Sequence, residues 1–226
     1  MIVEFTAGIV FVVEQTVSDA DSLLRKANQT LFLAKHEAKG DWLYLDAEEQ
    51  GRYRAREIIL SGIREALTRN NFRLLYQPKV NLRTGEIVGA EALIRWQHPD
   101  KGLMSPGKFL PAIEHHNLSI SVGEWVLRES LRQMQRWDQQ NLELKVSVNI
   151  AALHLQSEAF PETLTNILKE FPDINPSRLD LEILESATLG DLGQAVATIP
   201  ACQALGVVFS LDQFGTGHSS FSELKQ

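Results

Sequence analysis

The sequence predicts an α/β fold: a sheet of mostly parallel strands alternating with helices, preceded by a small α+β unit. Three observations predict it. From residue 72 onward, short runs of strand pattern alternate with stretches of helical period. Three of those runs are separated by single helices, which makes them parallel neighbours through right-handed crossovers. The first two runs are joined only by a tight loop, which makes that pair antiparallel. This pattern is half of a barrel or of a doubly wound sheet.

The elements follow in order. In residues 1–45 a strand over Ile2–Val13 leads to a helix with Ser18 as N-cap and Asp21 three residues later. Ala20, Leu23, Leu24, Ala27, Leu31 and Ala34 share one face of that helix. Gly40 stops it, and Trp42–Leu45 forms a short strand. Two strands and one helix bury too little to stand alone, so this unit reads as the end of a domain that starts earlier. A connecting helix fills 46–70, with Ile59, Ile63, Ala66 and Leu67 as its apolar stripe. The main domain runs over 71–226. Its strands Phe72–Asn81 and Ile87–Ile94 pair through a loop ending in Thr84-Gly85. Ser105-Pro106 opens a helix with Pro at the favoured first position, and His115-His116 ends it, where positive charge suits the helix dipole. A long helix over Val122–Gln140 turns Trp125, Val126, Met134 and Trp137 inward. Then come strand Leu144–Ile150, helix Pro161–Phe171, strand Leu179–Leu184, helix Leu192–Leu205 and strand Val207–Asp212.

Composition narrows the function classes. The chain has 226 residues, a net charge of −7, 44% hydrophobic and 23% charged residues. That balance is ordinary for a soluble domain and argues against a sequence-independent grip on a nucleic acid polymer. The one cysteine, Cys202, excludes a disulfide framework and reads as a small core residue. The opening MIVEFTAGIVFVVE lacks a basic n-region, carries Glu4 and is too short to span a bilayer. A cytoplasmic location is the default. No His/Cys spacing suggests zinc, and no serine sits in a nucleophile elbow.

Strands covered by helices on both faces should be apolar on both, yet one face of each main-domain strand is polar. Ala90, Ala92 and Ile94 oppose Glu91 and Arg95; Val146, Val148 and Ile150 oppose Ser147 and Asn149. Leu179, Leu181 and Ile183 oppose Asp180 and Glu182; Val207, Phe209 and Leu211 oppose Ser210 and Asp212. Period 2 therefore places Glu91, Asn149, Glu182 and Asp212 away from the outer helices. Each lies in the C-terminal part of its strand, where barrel active sites sit. Four oxygen-bearing side chains suit a hard cation, and without one three carboxylates together repel. The pattern reads as a cation-dependent site for an oxyanion such as phosphate.

The segments YQP (76–78), EALIRW (91–96), HPDKGLMSPGKFLPAIE (98–114), VNIAALHL (148–155), LEILES (181–186) and DQFGTGHSSF (212–221) resemble the EAL domain. That bacterial family hydrolyses cyclic di-GMP to the linear dinucleotide pGpG. The resemblance covers residues 57–226 and implies an incomplete, TIM-like (β/α) barrel. It implies metal ligation by Glu91, Asn149, Glu182 and Asp212, with Mg²⁺ or Mn²⁺ as cofactor. It also implies catalytic parts for Glu91, Asp212 and Glu185, the last steadying the loop after Asp212. Gln77, Leu93 and Arg95 would line the cyclic di-GMP site, with Arg95 on a phosphate, and dimers would form through the 212–221 loop. DADSLLRKANQTLFLAKHEAKGDWLYLD (19–46) is similar to the last helix and strand of a GGDEF domain, with Asn28 where that family has Asp. The signature loop of that family is absent, so cyclase activity is not expected. Two departures bear on activity. Gln213 stands where the EAL family has a second Asp, and the sequence ends at Gln226, before the strand carrying the family's lysine. Both lead to an expectation of impaired catalysis in a C-terminally truncated domain. The alternative is a non-catalytic module that binds cyclic di-GMP or docks to a protein.

Overall fold

The computed structural model describes residues 6–9, 20–37, 42–44, 47–184 and 192–212. Contacts divide the chain into two compact units, Met1–Ile58 and Ile59–Gln226. In the first, β1 (Ala7–Ile9) and β2 (Trp42–Tyr44) pair in parallel, and α1 (Ala20–Glu37) connects them. Gly8 permits close approach of strand and helix, since a Cβ there would lie 2.3 Å from the Leu31 backbone nitrogen. Helix α1 buries Ala34, with Leu23, Ala27 and Leu31 half-buried. Leu24, expected on the same face, is 61% exposed. At about 100° per residue it sits roughly 80° around the helix from Ala34, at the margin of the stripe. Of the strand expected over Ile2–Val13, residues 7–9 are described; Ser18 and Gly40 lie outside the described residues.

Helix α2 (Ala47–Thr68) contributes Leu60, Ile63 and Ala66 to the core of the second unit. Gly62 leaves room for the Trp96 indole, which a Cβ would approach to 2.6 Å. The helix is stopped by Asn70 in the left-handed region (φ 56°), and the Asn71 amide donates back to the Ala66 carbonyl (2.9 Å).

Beyond it lies a six-stranded sheet. β3 (Phe72–Val80) and β4 (Ile87–His98) are antiparallel, and the turn between them places Gly85 at φ 76°. β4 runs four residues past the expected Ile94, because its end pairs with β5 (Gly102–Met104). β6 (Lys145–Ile150), β7 (Leu179–Leu184) and β8 (Val208–Asp212) follow in parallel, in the order β3-β4-β6-β7-β8. The sheet is an open one among the described residues: β3 and β8 are the ends of its path.

Between β5 and the long helix α3 (Leu118–Asp138) the expected helix is two short 3₁₀ turns, Pro106–Lys108 and Leu110–Ala112. Pro111 has no amide hydrogen and would clash with the preceding turn of an α-helix, so the first turn cannot propagate. His115 and His116 then precede α3 and do not end a helix: His116 Nδ1 accepts from the Leu118 amide at 3.0 Å. Helix α3 covers one sheet face with Val122, Val126, Leu127, Leu131 and Met134 buried, and Trp125 and Trp137 half-buried against them. α4 (Ala152–Leu155), α5 (Phe160–Lys169) and α6 (Leu192–Gln203) complete the described helices. Arg178 fastens the start of β7. Its guanidinium forks onto the Asp138 carboxylate (2.9 and 2.7 Å) and reaches the Leu144 carbonyl (3.2 and 3.1 Å). Among the described residues no helix is long and apolar enough to cross a membrane.

Candidate functional site

Strand alternation builds the site. In β4, Ala90, Ala92, Ile94 and Trp96 are buried in the helix-covered core, while Glu91, Leu93 and Arg95 are half-buried on the other face. In β6 and β7, Val146, Val148, Ile150, Leu179, Leu181 and Ile183 join the same core. That leaves Ser147, Asn149, Asp180 and Glu182 on the polar face.

The register then sets which polar residues meet. Gln77 stands opposite Glu91, Leu75 opposite Leu93 and Arg73 opposite Arg95. Glu91 pairs with Ser147, so Asn149 lies two residues further along. Asn149 pairs directly with Glu182, and Glu182 pairs with Ser210, so Asp212 again lies two residues further. The row Glu91, Asn149, Glu182, Asp212 is thus stepped along the strands by the register. Asp212 is the last residue of β8; its side chain, like Glu185 and Gln213, lies outside the described residues.

The side-chain contacts fall into two groups. Asn149 Nδ2 donates to Glu91 Oε1 at 2.9 Å, which orients the amide and leaves its carbonyl oxygen for another partner. Glu182, only 7% exposed, pairs instead with the Lys79 ammonium. Lys79 also donates to Ser147 Oγ (2.6 Å), and Ser147 donates to Asp180 (3.1 Å). Asp180 further accepts from Ser210 Oγ, at 2.9 and 3.0 Å. The chain Lys79–Ser147–Asp180–Ser210 satisfies four polar groups on one face.

Gln77 is exposed beside this face, and among the described residues Arg95 reaches only the Ile94 carbonyl (2.9 Å). Among the described residues neither Arg73 nor Arg95 pairs with a carboxylate: Arg73 Nη1 donates to the Asn70 and Phe72 carbonyls (2.6 and 2.7 Å), and Arg95 retains donors for an anion. The structure therefore brings Gln77, Glu91, Leu93, Arg95, Asn149 and Glu182 onto one face.

Lys79 was not singled out by sequence reasoning. The available signal was its parity with Gln77 in β3, together with Gly89 directly opposite. A Cβ at 89 would sit 2.8 Å from the Lys145 carbonyl, so the backbones of β4 and β6 approach closely at this position.

A divalent cation fits the chemistry of the donor set. Glu91, Asn149 and Glu182 offer only oxygen, on three adjacent strands, which suits Mg²⁺ or Mn²⁺. Among the described residues no three His, Cys, Asp or Glu side chains form a cation cluster. One expected ligand is an amide, and the Asp212 carboxylate is not described.

His154 lies just past β6, in α4. It is 1% exposed, neither ring nitrogen has a hydrogen-bond partner among the described residues, and its ring centroid lies 4.2 Å from that of Phe160. Burial pushes its pKa down to about 4, against a weaker opposing pull from Glu124.

The fold and this face define an α/β domain whose polar side chains gather on one side of a largely parallel sheet. The chain belongs to the EAL domain family, which matches residues 61–226. It is 35% identical over 205 residues to a bifunctional diguanylate cyclase/cyclic di-GMP phosphodiesterase, MucR, of Pseudomonas aeruginosa, covering 90% of this chain and 30% of that protein. It is 31% identical over 218 residues to a cyclic di-GMP phosphodiesterase of the same organism, covering 96% of this chain and 37% of that one. A solved structure of the PaMucR phosphodiesterase in complex with c-di-GMP superposes with a TM-score of 0.68 at 39% identity, over 74% of this chain and 68% of that chain. The chain thus spans about a third of the length of these curated relatives.

Proposed function

We propose that this chain binds cyclic di-GMP on the polar face of its sheet and hydrolyses it to pGpG slowly, with Mg²⁺ or Mn²⁺. The observation that carries this is the stepped row Glu91, Asn149, Glu182, with Gln77 and Arg95 on the same face. It supports the site expected from the motifs. Glu91, Asn149, Glu182 and Asp212 would hold the cation. When bound, the cation would lower the pKa of a water and offset charge developing on the phosphodiester. The protein's own residues do the rest. The Arg95 guanidinium holds a phosphate oxygen, Gln77 and Leu93 seat the nucleotide, and Glu185 steadies the segment after Asp212. Water adds to phosphorus and one phosphodiester bond breaks. Gln213 supports low turnover, because a neutral amide offsets less charge at a second cation than a carboxylate.

The same residue favours a second reading, a module that binds cyclic di-GMP without cleaving it. Calorimetry with cyclic di-GMP in Mn²⁺ and in EDTA separates the two. Affinity that requires Mn²⁺ supports the hydrolytic site, affinity undiminished in EDTA supports the sensor, and no binding in either rejects both.

Other parts of the reading belong with this one. Residues 1–45 derive from the end of a GGDEF domain, which the strand–helix–strand order of β1, α1 and β2 supports. Residues 46–70 link it to an EAL domain over 71–226. The protein acts in the cytoplasm, and the 212–221 loop is its dimer contact.

A further inference from the structure

We infer that Lys79 is a built-in counter-cation that occupies Glu182 when no divalent ion is bound, so that metal and lysine compete for one carboxylate. This rests on the proposed cation site and adds a residue that none of the motifs contains. Three observations carry it. Glu182 is buried at 7% exposure, too costly a place for a carboxylate without a partner, and its partner is the Lys79 ammonium. Lys79 comes from β3, three strands away along the sheet path, so this contact ties the antiparallel start of the sheet to its parallel part. The ammonium has a second acceptor in Ser147 Oγ (2.6 Å), itself anchored on Asp180 (3.1 Å). When Glu182 turns to a cation, Lys79 therefore keeps a hydrogen bond on the same face.

Among the described residues the Asn149–Glu91 pair has no such cation. Before metal binds, the row is thus divided: two members are bonded to each other, and the third is held by lysine. A competitor of this kind lowers apparent metal affinity by the fraction of molecules in which the ligand is free. Removing it raises affinity, and because apo Glu182 then lacks a partner, it also enlarges the stabilisation that metal confers.

The test is Mn²⁺ binding to the full chain, followed by calorimetry and by the loss of the free-ion electron paramagnetic resonance signal. Wild type, Lys79→Met and Lys79→Arg are compared, with thermal midpoints recorded with and without Mn²⁺. Lys79→Met should bind Mn²⁺ about tenfold more tightly or better. It should melt lower than wild type without metal and show the larger Mn²⁺-induced rise. Lys79→Arg keeps the charge and should stay near wild type. Equal or weaker binding by Lys79→Met, with wild type still binding, overturns the competition and leaves the cation site standing. No Mn²⁺ binding by wild type or either variant overturns both. If Lys79→Met does not fold without metal, refolding on Mn²⁺ addition supports the inference and failure to refold overturns it.

Discussion

Replacing His154 with leucine should flatten the acid dependence of stability. The imidazole is 1% exposed, packs on Phe160 with ring centroids 4.2 Å apart, and has no hydrogen-bond partner on either nitrogen among the described residues. Gly123 presses against it, since a Cβ there would lie 2.7 Å from Nδ1. Burial lowers its pKa from 6.5 to about 4, while Glu124, which is ion-paired with Arg128 at 3.0 Å, pulls weakly the other way. Between those two values the unfolded chain carries a proton that the folded chain does not. Stability therefore rises with pH through the window from about 4 to 6.5 and is lost on acidification. At pH 5 the loss relative to pH 7.5 is about 2 kcal/mol, from roughly 1.5 pH units at 1.36 kcal/mol each. With a urea slope of about 2 kcal/mol/M this moves the midpoint by about 1 M. Urea titrations of wild type and His154→Leu at pH 7.5, 6 and 5 measure it. Other carboxylates contribute equally to both proteins, so the difference isolates the imidazole. Parallel pH dependences in the two proteins would refute the reasoning.

Two further outcomes follow from other contacts. Arg95→Ala should weaken cyclic di-GMP binding by about 10- to 100-fold in calorimetry, the worth of a charged hydrogen bond. The thermal midpoint should hardly change, because among the described residues Arg95 bonds only the carbonyl of Ile94. Arg178→Lys should lower stability by about 2 kcal/mol in urea titration, since lysine cannot reproduce the fork onto Asp138 and the Leu144 carbonyl.

Strand periodicity made the polar face legible. Once Ala90, Ala92 and Ile94 are read as core, Glu91, Leu93 and Arg95 must turn the other way, and the same logic places Asn149 and Glu182. Short connections made the antiparallel start and the parallel remainder legible too. Features set by competition between local signals were harder. Pro106 announced a helix that Pro111 cuts into 3₁₀ turns, and His116 caps the start of α3 where a helix end was expected. Leu24 has the right spacing for the α1 stripe but lies at its edge, in water. Lys79 was hardest, because its contact with Glu182 spans 103 positions. That contact depends on strand order and on register, neither of which a local pattern encodes. It also changes the picture of the polar face. Glu182 is not a carboxylate waiting among repelling neighbours; it already has a cation.

The central claim is hydrolysis on the Glu91, Asn149, Glu182 face. Its most direct test is to incubate the chain with cyclic di-GMP in Mn²⁺ and in EDTA and to separate the products by chromatography. The account predicts slow accumulation of pGpG in Mn²⁺, none in EDTA, and none from Glu91→Gln. Cyclic di-GMP left intact by the wild-type chain in Mn²⁺ would contradict it.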